Sequence, residues 1–355
     1  HGTGAGTGHG SRPVIARPPR DTVIFLGDVA LDEYFRTDRW PESGEKVEIV
    51  PAGSFVGGMI ANAAAVHAGY GAPTRFLWAM NQGLLSGSLL EELERMGIDT
   101  SLVIADPALA DSRNIIVLAD GEHTVLTPAL GLEVIQLSDA AFDALCGARY
   151  VYTAIGDLRS IRHRGRDARA VIDEFRLAGA RLVLDLDVGA LHPGDEAFVS
   201  RVDILLVNRR GFDRLRDGRS DAVTVVELLA GAAAVVVVTL GPDGCRVFDA
   251  TGEVAIPGIH VDPVDVTGAG DTFGASFLHA FDRTGDPVAA AAFANVAAAR
   301  ACTILGGRAG AASEADVLTF ADAHGIRVSL PPPPERGAVE APEPLGSRSP
   351  TRERQ

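Results

Sequence analysis

A short glycine loop that ends in an aspartate is the stretch of this sequence best suited to chemistry. Residues 265–271 read Asp-Val-Thr-Gly-Ala-Gly-Asp, and Phe273, Phe277 and Phe281 follow at every fourth position. This spacing predicts a tight loop that opens a helix with an apolar face. Backbone amides at the start of a helix, together with the helix dipole, attract an anion such as phosphate. Asp271, beside a bound phosphate, could take a proton from an attacking hydroxyl group.

Composition and charge exclude several function classes. Because 46% of the 355 residues are hydrophobic, the chain can bury a sizeable core, in one large α/β domain or two small ones. A net charge of −15 repels nucleic acid and anionic membranes, so neither is an expected partner. No apolar run approaches the roughly 20 residues of a membrane span, and the N-terminus lacks a signal-peptide layout. The three cysteines are far apart, which argues against a disulfide framework and favours a reducing, cytoplasmic setting.

The middle of the chain alternates between strand and helix patterns. Residues 1–21 and the Pro-rich residues 329–355 are expected to be disordered, which leaves one domain over residues 22–328. Strands are predicted at Val23–Leu26, Arg75–Trp78, Tyr150–Ala154, Leu182–Leu186, Ile204–Val207 and Val235–Thr239. Helices are predicted at Ala61–Ala68, Leu89–Met96, Ala168–Leu177 and Val223–Leu229. This alternation predicts an α/β fold, with a mainly parallel sheet, helices on both faces and ligands at the carboxyl ends of the strands.

Two regions interrupt the alternation and predict a small additional β-sheet. The first is Lys46–Val50, and the second is Asn114–Leu118 with Thr124–Leu126, joined by a turn at residues 120–122. The strands of this sheet are expected within about residues 37–56 and 112–127. Such a sheet could serve as a lid over the main one.

Further candidate residues follow predicted strands or open predicted helices. Asp28 and Asp32 come directly after the first strand, where carboxylates can bind sugar hydroxyls; a helix cap or a solvated turn is the alternative. A glycine pair ending at Gly58 precedes a helix with Asn62 in its first turn, which suits either a closely bound ligand or close helix packing. Residues 240–244 follow another apolar strand and fit a nucleotide-side loop or an ordinary hairpin turn.

The order of these motifs resembles the PfkB, or ribokinase-like, carbohydrate kinase family. The element from Gly58 to Asn62 and the element from Asp265 to Asp271 match its two signature regions, and the resemblance covers nearly all of residues 23–328. It implies a ribokinase-like α/β core with a β-lid, ATP as donor with Mg²⁺, and a sugar or nucleoside hydroxyl as acceptor. Members often form homodimers through the lid, so the resemblance extends to that partner.

Carried over residue by residue, the resemblance implies a role for each matching position. Asp271 would be the general base, and the anion hole would be formed by Gly268, Ala269 and Gly270. Sugar binding would fall to Asp32, Gly58 and Asn62. The nucleotide side would include Asn208, Thr239, Gly241, Gly244 and Asn295. A monovalent cation, K⁺ in potassium-activated members, would be held with the help of Asp265 and Thr267.

The chain also departs from the family pattern. Many members have Asn-x-x-Glu, linked to magnesium and phosphate, where this chain has Asn208-Arg-Arg-Gly211, so the way in which magnesium is held stays open. The Gly-x-Asp pattern that many members carry after the second core strand is absent from residues 79–83. Met59 stands where ribokinases proper have Lys, and Ala30 where they have Asn, which makes ribose a less favoured acceptor.

Arg159 suggests a substrate class. It follows a predicted strand, near the position where ribokinases place a sugar-contacting Glu, and arginine binds carboxylate, sulfonate or phosphate groups in bidentate geometry. Residues 157–159 and 302–310 are also similar to those of sulfofructose kinases within the family. An anionic sugar or a ketohexose is therefore the predicted acceptor. The alternative is that Arg159 opens a run of arginines on a solvated helix face.

These observations favour an ATP-dependent sugar kinase with Asp271 as general base. A nucleoside kinase of the same family is the alternative within this class. A non-catalytic sugar- or nucleotide-binding regulatory protein is the alternative outside it, suggested by the missing Glu at Gly211. A dehydrogenase would need a Gly-x-Gly-x-x-Gly turn directly after the first strand, and residues 27–30 form no such turn.

Overall fold

A computed structural model describes residues 20–120, 122–131, 133–186, 191–308 and 310–332 of the chain. The expected disorder of residues 1–21 and 329–355 therefore falls almost wholly outside the described residues. The strands, in chain order, are β1 (Val23–Leu26), β2 (Ala30–Arg36), β3 (Val50–Gly57), β4 (Thr74–Leu77), β5 (Ala79–Met80), β6 (Ile104–Ala105), β7 (Arg113–Ala119), β8 (Glu122–Leu126), β9 (Ile135–Gln136), β10 (Tyr150–Ala154), β11 (Ile161–Arg162), β12 (Arg181–Leu186), β13 (Ile204–Asn208), β14 (Val235–Thr239), β15 (Gly244–Asp249) and β16 (Gly252–Pro257). The α-helices are α1 (Met59–Gly69), α2 (Leu84–Arg95), α3 (Asp139–Gly147), α4 (Ile155–Ser160), α5 (Ala168–Leu177), α6 (Glu196–Val199), α7 (Arg209–Arg216), α8 (Asp221–Ala230), α9 (Ala269–Thr284), α10 (Pro287–Cys302) and α11 (Glu314–Ala323).

The main sheet has eight strands in the order β16-β15-β14-β13-β12-β10-β1-β4. The six strands from β14 to β4 pair in parallel, whereas β15 and β16 are antiparallel additions at one edge. Each of the six predicted strands corresponds to one of the parallel strands. Their side chains are largely buried, as continuous apolar runs in a two-sided parallel sheet require.

The strand order reverses between β1 and β10. From β1 the chain crosses to β4 on one side, and β10, β12, β13 and β14 are added on the other. Because crossovers between parallel strands are right-handed, helices of the two halves lie on opposite faces of the sheet. The predicted α/β fold is thus confirmed. The crevice between the carboxyl ends of β1 and β10 is the place where ligands bind in sheets of this kind.

A second sheet of four strands, in the order β3-β2-β7-β8, forms the lid. It differs from the sequence-based expectation in its first half: β2 follows β1 almost directly, and β3 overlaps the predicted strand Lys46–Val50 only at Val50. The reason is compositional. Strand β3 contains Pro51, Gly53 and Gly57, residue types of low strand propensity, and β2 is only partly buried and lacks a clear apolar alternation.

Helix α9 lies at the centre of the helical packing. It contacts α1 and α10, and its residues Phe273, Phe277 and Phe281 stack in a row with ring centroids 6.5 and 5.7 Å apart. The apolar face predicted from the fourfold spacing is therefore present. Across the described ranges, every helix is too short or too polar to cross a membrane.

Candidate functional site

The loop before α9 is built around a glycine that no other residue could replace without strain. Gly268 precedes the helix with φ of 75°, and a Cβ at this position would lie 1.9 Å from the carbonyl oxygen of Gly307. The left-handed residue begins α9, whose first-turn amides and dipole can attract an anion, although the Ala269 amide also donates a 3.2 Å hydrogen bond to the Val266 carbonyl oxygen. Asp271 stands in this first turn.

Two cavities meet at this helix start. The carboxylate cavity, of about 650 Å³, has five aspartates in its wall: Asp28, Asp32, Asp157, Asp185 and Asp271. The apolar cavity, of about 530 Å³, is lined largely by apolar residues such as Pro242, Ile259, Val261, Val266 and Ala298. Both are lined by Thr239, Gly270 and Phe273. Molecules bound in the two cavities would therefore face each other across the glycine loop.

The end of the carboxylate cavity at the strand switch point carries two of the aspartates. Asp28 follows β1, and Asp157 lies in α4, which follows β10. A Cβ on Gly27 would lie 2.6 Å from Asp157 Oδ2, so the glycine makes room for this carboxylate. Burial raises the pKa of both aspartates; Asp32 raises that of Asp28 further, and Asp28 that of Asp157.

The lid fixes Asp32. Asn114 on β7 donates a hydrogen bond of 2.8 Å to Asp32 Oδ1, and Thr127 donates one of 2.8 Å to Asn114 Oδ1. A Cβ on Gly57 would lie 2.0 Å from Asp32 Oδ2, so this position also requires a glycine. Burial raises the pKa of Asp32, against the opposing effects of Asn114 and Arg308.

Asn62 connects the early motif to the late one. Gly58 has φ of 98° and precedes α1, and a Cβ on it would lie 2.7 Å from the Asp28 carbonyl oxygen. One helical turn later, Asn62 Nδ2 donates a hydrogen bond of 2.8 Å to Asp271 Oδ2. Two residues 209 positions apart in the chain thus touch at the glycine loop.

The residues predicted for the nucleotide side divide between the cavities. Gly241, Gly244 and Asn295 line the apolar cavity, Thr239 lines both, and Asn208 lines only the carboxylate cavity. Asn208 also caps α7, because its Oδ1 accepts a 2.8 Å hydrogen bond from the Gly211 amide. Residues 240–244 connect the antiparallel strands β14 and β15, as a hairpin turn does, and Gly241, Pro242 and Gly244 line the apolar cavity.

Asp265 holds the glycine loop against the segment that follows α10. Its two carboxylate oxygens accept hydrogen bonds of 2.9 Å from the amides of Thr267 and Gly306. Although partial burial opposes the effect, these amides lower the pKa of Asp265. Thr267 lines the carboxylate cavity. No group of three or more His, Cys, Asp or Glu side chains suited to a metal ion occurs among the described residues.

Arg159 does not join the other predicted site residues. Its Nε and Nη2 each lie 2.8 Å from a different oxygen of Asp195, whose side chain is only 4% exposed. It is also not part of the carboxylate cavity wall. The arginines that follow it also bind within the protein: Arg164 pairs with Asp139 and Arg166 with Glu174. The alternative of a solvated helix face does not describe the run either, because Arg159 pairs with a buried carboxylate and Arg164 and Arg166 lie outside any helix.

Several cavity residues were not singled out from the sequence. Asn114 and Thr127 belong to the lid, where no local pattern marks them. Asp185 lies near the carboxyl end of β12 and accepts a 2.5 Å hydrogen bond from the Tyr152 hydroxyl. Its position near a strand end is the sequence signal that could have identified it. Arg308, which donates a 3.2 Å hydrogen bond to Asn62 Oδ1, was part of a noted segment but was given no role.

Position 211, where many family members have Glu, is closely packed. A Cβ on Gly211 would lie 2.8 Å from Val207 Cγ2 and 3.1 Å from the Leu186 carbonyl oxygen. A larger side chain would require the neighbouring strands to shift. The absence of Glu at position 211 therefore agrees with the close packing of the residues around it.

A parallel α/β sheet with a lid, and two cavities that meet at an anion-binding helix start beside an aspartate, define a class of enzyme that transfers a phosphoryl group between two substrates. Residues 20–314 match the model of the pfkB family of carbohydrate kinases. The chain belongs to this family, whose members are phosphotransferases with an alcohol group as acceptor.

Individual relatives agree with this assignment. A ribokinase of Bacillus subtilis is 26% identical over 297 residues, covering 81% of this chain and 95% of the relative. A nucleoside kinase of Methanothermobacter thermautotrophicus is 27% identical over 285 residues, covering 78% and 87%. Among solved structures, Arabidopsis thaliana ribokinase complexed with ribose and ATP superposes with a TM-score of 0.73 at 23% identity, covering 85% of this chain and 99% of that one. A putative ribokinase II from E. coli in complex with ATP and Mg²⁺ superposes with a TM-score of 0.72 at 17% identity, covering 86% of this chain and 100% of that one.

Proposed function

We propose that the protein transfers the γ-phosphoryl group of ATP to a hydroxyl of a neutral sugar, such as a ketohexose or a related sugar. The observation that carries the proposal is the meeting of the two cavities at Gly270, with Asp271 in the wall of one of them. A nucleotide in the apolar cavity and an acceptor in the carboxylate cavity would have their reacting groups on either side of the glycine loop. This geometry suits in-line transfer.

The nucleotide would enter the apolar cavity with its phosphates toward the loop. The apolar wall is suited to a nucleobase, and Gly241 and Gly244 allow close approach of the backbone. The amides of Gly268, Ala269 and Gly270, with the dipole of α9, would stabilise charge on the transferring phosphoryl group. Binding of ATP by the two solved relatives supports this assignment.

The acceptor hydroxyl would be positioned by Asp32 and Asn62. Asp271 would take the hydroxyl proton on a carboxylate oxygen as the hydroxyl oxygen forms its bond to the γ-phosphorus. The bond from that phosphorus to the bridging oxygen breaks, and ADP leaves with the electron pair. The lid, which supplies Asp32 and Asn114, would exclude water and so limit ATP hydrolysis.

Magnesium fits the oxygen donors of the carboxylate cavity. Mg²⁺ prefers oxygen ligands and retains several waters, and Asp185 and Asn208 bring side-chain oxygens to the wall of this cavity, where each also accepts a hydrogen bond within the protein. When bound, the ion would neutralise charge on the phosphates. The Glu missing at position 211 does not remove every protein donor from this side of the cavity.

The charge of the carboxylate cavity favours a neutral acceptor over the anionic sugar expected from Arg159. Five aspartates line the cavity, and no Lys or Arg does so among the described residues. An acceptor with its own carboxylate, sulfonate or phosphate would find no lysine or arginine among the described residues of this wall to pair with, and it would lie beside the negative charge of ATP. The guanidinium that would have offset this charge is bound to Asp195.

The test is an ADP-release screen of the purified protein over ketohexoses, pentoses, nucleosides and acidic sugars. We expect a neutral sugar to give the highest kcat/KM. Asp271→Asn should lower kcat by about 10²–10⁴-fold, the usual contribution of a general base, with ATP affinity nearly unchanged. Asp322→Asn, at an exposed position on α11, is the matched control and should behave as wild type. Normal turnover by the Asp271→Asn variant would refute the assignment of the base.

Two alternatives are outcomes of the same screen. The nucleoside kinase relative supports a nucleoside as acceptor, in which case adenosine, inosine or pseudouridine would exceed every sugar. A regulatory protein without transfer would bind ATP and release no ADP with any acceptor.

Activation by K⁺ and a homodimer through the lid belong to the same proposal. Asp265 and Thr267 are the residues proposed to help bind the cation. Equal turnover in K⁺ and choline salts would exclude activation.

The proposed dimer would form through exposed residues of the lid. Strand β3 at the sheet edge is exposed from Val50 to Phe55, and Val125 and Leu126 on β8 are also exposed. A monomeric mass in light scattering at micromolar concentration would exclude it. Cytoplasmic location stays a prediction.

A further inference from the structure

Arg308 is a largely buried cation beside the glycine loop. Its guanidinium lies 3.2 Å from Asn62 Oδ1 through Nε, 3.5 Å from the Gly57 carbonyl oxygen through Nη2, and 3.7 Å from Met96 Sδ through Nη1. Within the described part of the chain it forms no ion pair with a carboxylate, and burial lowers its pKa to about 10. Keeping an unpaired guanidinium in such a place is costly, which indicates a role beyond packing.

The hydrogen bonds of Arg308 determine which way the Asn62 amide points. An amide side chain has an accepting oxygen at one end and a donating NH₂ group at the other. Arg308 can only donate, so it requires the oxygen of Asn62 to face it. The NH₂ group then faces Asp271 Oδ2, at 2.8 Å. If the amide were reversed, its oxygen would face a carboxylate and its NH₂ group would face a guanidinium, and both contacts would be unfavourable.

We propose that Arg308 is a positioning residue for phosphoryl transfer, acting through Asn62 on Asp271. The proposal rests on the proposed function, in which Asp271 takes the proton of the acceptor hydroxyl. By fixing the amide, Arg308 keeps a donor on one oxygen of the Asp271 carboxylate and so restricts its rotation. That donor also favours the ionised carboxylate, the form that can accept a proton.

The contact depends on the fold of two distant segments. Asn62 stands on α1, and Arg308 lies in the segment after α10, which Asp265 holds through the Gly306 amide. The same Asp265 orders the glycine loop through Thr267. The loop, the base and the arginine that orients its partner are therefore held by one set of hydrogen bonds.

The test compares Arg308→Met with wild type, because Met approximates the length of the side chain and cannot donate. We expect kcat to fall about tenfold or more, since a hydrogen bond to a charged group contributes that much to a rate. The acidic limb of the kcat–pH profile should move to higher pH by about one unit, because the Asn62 amide that donates to the carboxylate is no longer held in its orientation. Arg308→Lys, which retains a donor and a charge, should recover most of the activity.

Two further variants separate positioning from a structural role. Met96→Leu removes the sulfur contact of the same guanidinium and leaves Asn62 untouched; kcat should stay within about twofold. In an Asn62→Ala background, Arg308→Met should cause little further loss, because its effect passes through that amide. Equal losses in both backgrounds, or an unmoved pH profile, would overturn the proposal.

The proposed function can fail separately. A wild-type protein that transfers phosphate to no acceptor would refute the kinase assignment, whereas an active wild type with a fully active Arg308→Met variant would refute only the role of Arg308. If Arg308→Met does not fold, as judged by circular dichroism, the comparison moves to Arg308→Leu, which also cannot donate, with the same expected loss and the same pH shift.

Discussion

Replacing Arg159 by alanine distinguishes a substrate-binding arginine from a structural one. In the structure, Nε and Nη2 of its guanidinium both donate to Asp195, whose side chain is 4% exposed. Arg159→Ala would leave this carboxylate buried without its partner, which typically costs about 3–5 kcal/mol. Asp195 keeps one donor, the His192 amide at 2.6 Å, so the lower end, about 3 kcal/mol, is the expected loss.

A loss of this size is measurable by thermal unfolding. For a domain of about 300 residues, an unfolding entropy of about 2.1 cal/mol/K per residue makes 1 kcal/mol correspond to about 1.5 °C in Tm, so Arg159→Ala should melt roughly 5 °C below wild type. The matched control is Arg164→Ala from the same run of arginines. The side chains of Arg164 and its partner Asp139 are 68% and 61% exposed, so the Tm of this control should stay close to that of wild type.

Steady-state kinetics test whether Arg159 binds the substrate. If Arg159 is structural, KM for the best acidic sugar and for the best neutral sugar should both stay near their wild-type values in Arg159→Ala at a temperature where it is folded. A tenfold rise in KM for the acidic sugar alone, with Tm close to that of the Arg164→Ala control, would refute the reasoning. A double-mutant cycle with Asp195→Ala should show coupling, because the double variant leaves no unpaired charge.

Two further variants test the glycine loop and the buried carboxylates. Gly268→Ala should lose most of its kcat, because the added Cβ would collide with the Gly307 carbonyl oxygen. The control is Gly285→Ala at the far end of α9, where φ is also positive but the space around the Cβ is open. This control should keep its kcat and lose about 1–2 kcal/mol of stability. Asp157→Asn should raise Tm at pH 8 and change it little at pH 4. Burial raises the pKa of Asp157 in the folded state, so the folded state is destabilised as this carboxylate ionises with rising pH. A Tm gain of equal size at both pH values would contradict this reasoning. The same gain in Asp143→Asn, at an exposed position, would also contradict it.

The sequence was most informative where apolar residues run without interruption. The parallel strands β1, β10 and β14 were predicted with their observed bounds, because a strand buried on both faces has a continuous apolar run that is hard to mistake. The lid was harder to predict. Strand β2 is only partly buried and β3 is largely exposed, so burial imposes no clear pattern on them, and β3 contains glycines that a strand pattern normally lacks.

Residues of the candidate site were also predicted with unequal success. Asp271 and Asn62 could be identified because each belongs to a local motif at a helix start. Arg159 could not be placed, because its partner Asp195 is 36 positions away and no spacing indicates the pair. Asn114 and Arg308 were missed for a related reason: their roles come from contacts with Asp32 and Asn62 that form only in the folded chain.

The distribution of cations limits how this enzyme can handle phosphate. The chain has a single lysine, Lys46, which is exposed beyond β2, and among the described residues neither cavity is lined by Lys or Arg. The charge that develops in transfer would therefore be met by the glycine-loop amides, the dipole of α9 and bound magnesium. Such a site has little capacity for a further anion, which is a second reason to favour a neutral acceptor. It also gives Arg308 particular weight: its guanidinium reaches Asp271 through a single intervening side chain, that of Asn62, so it acts on the base through that amide and leaves the phosphate to the loop.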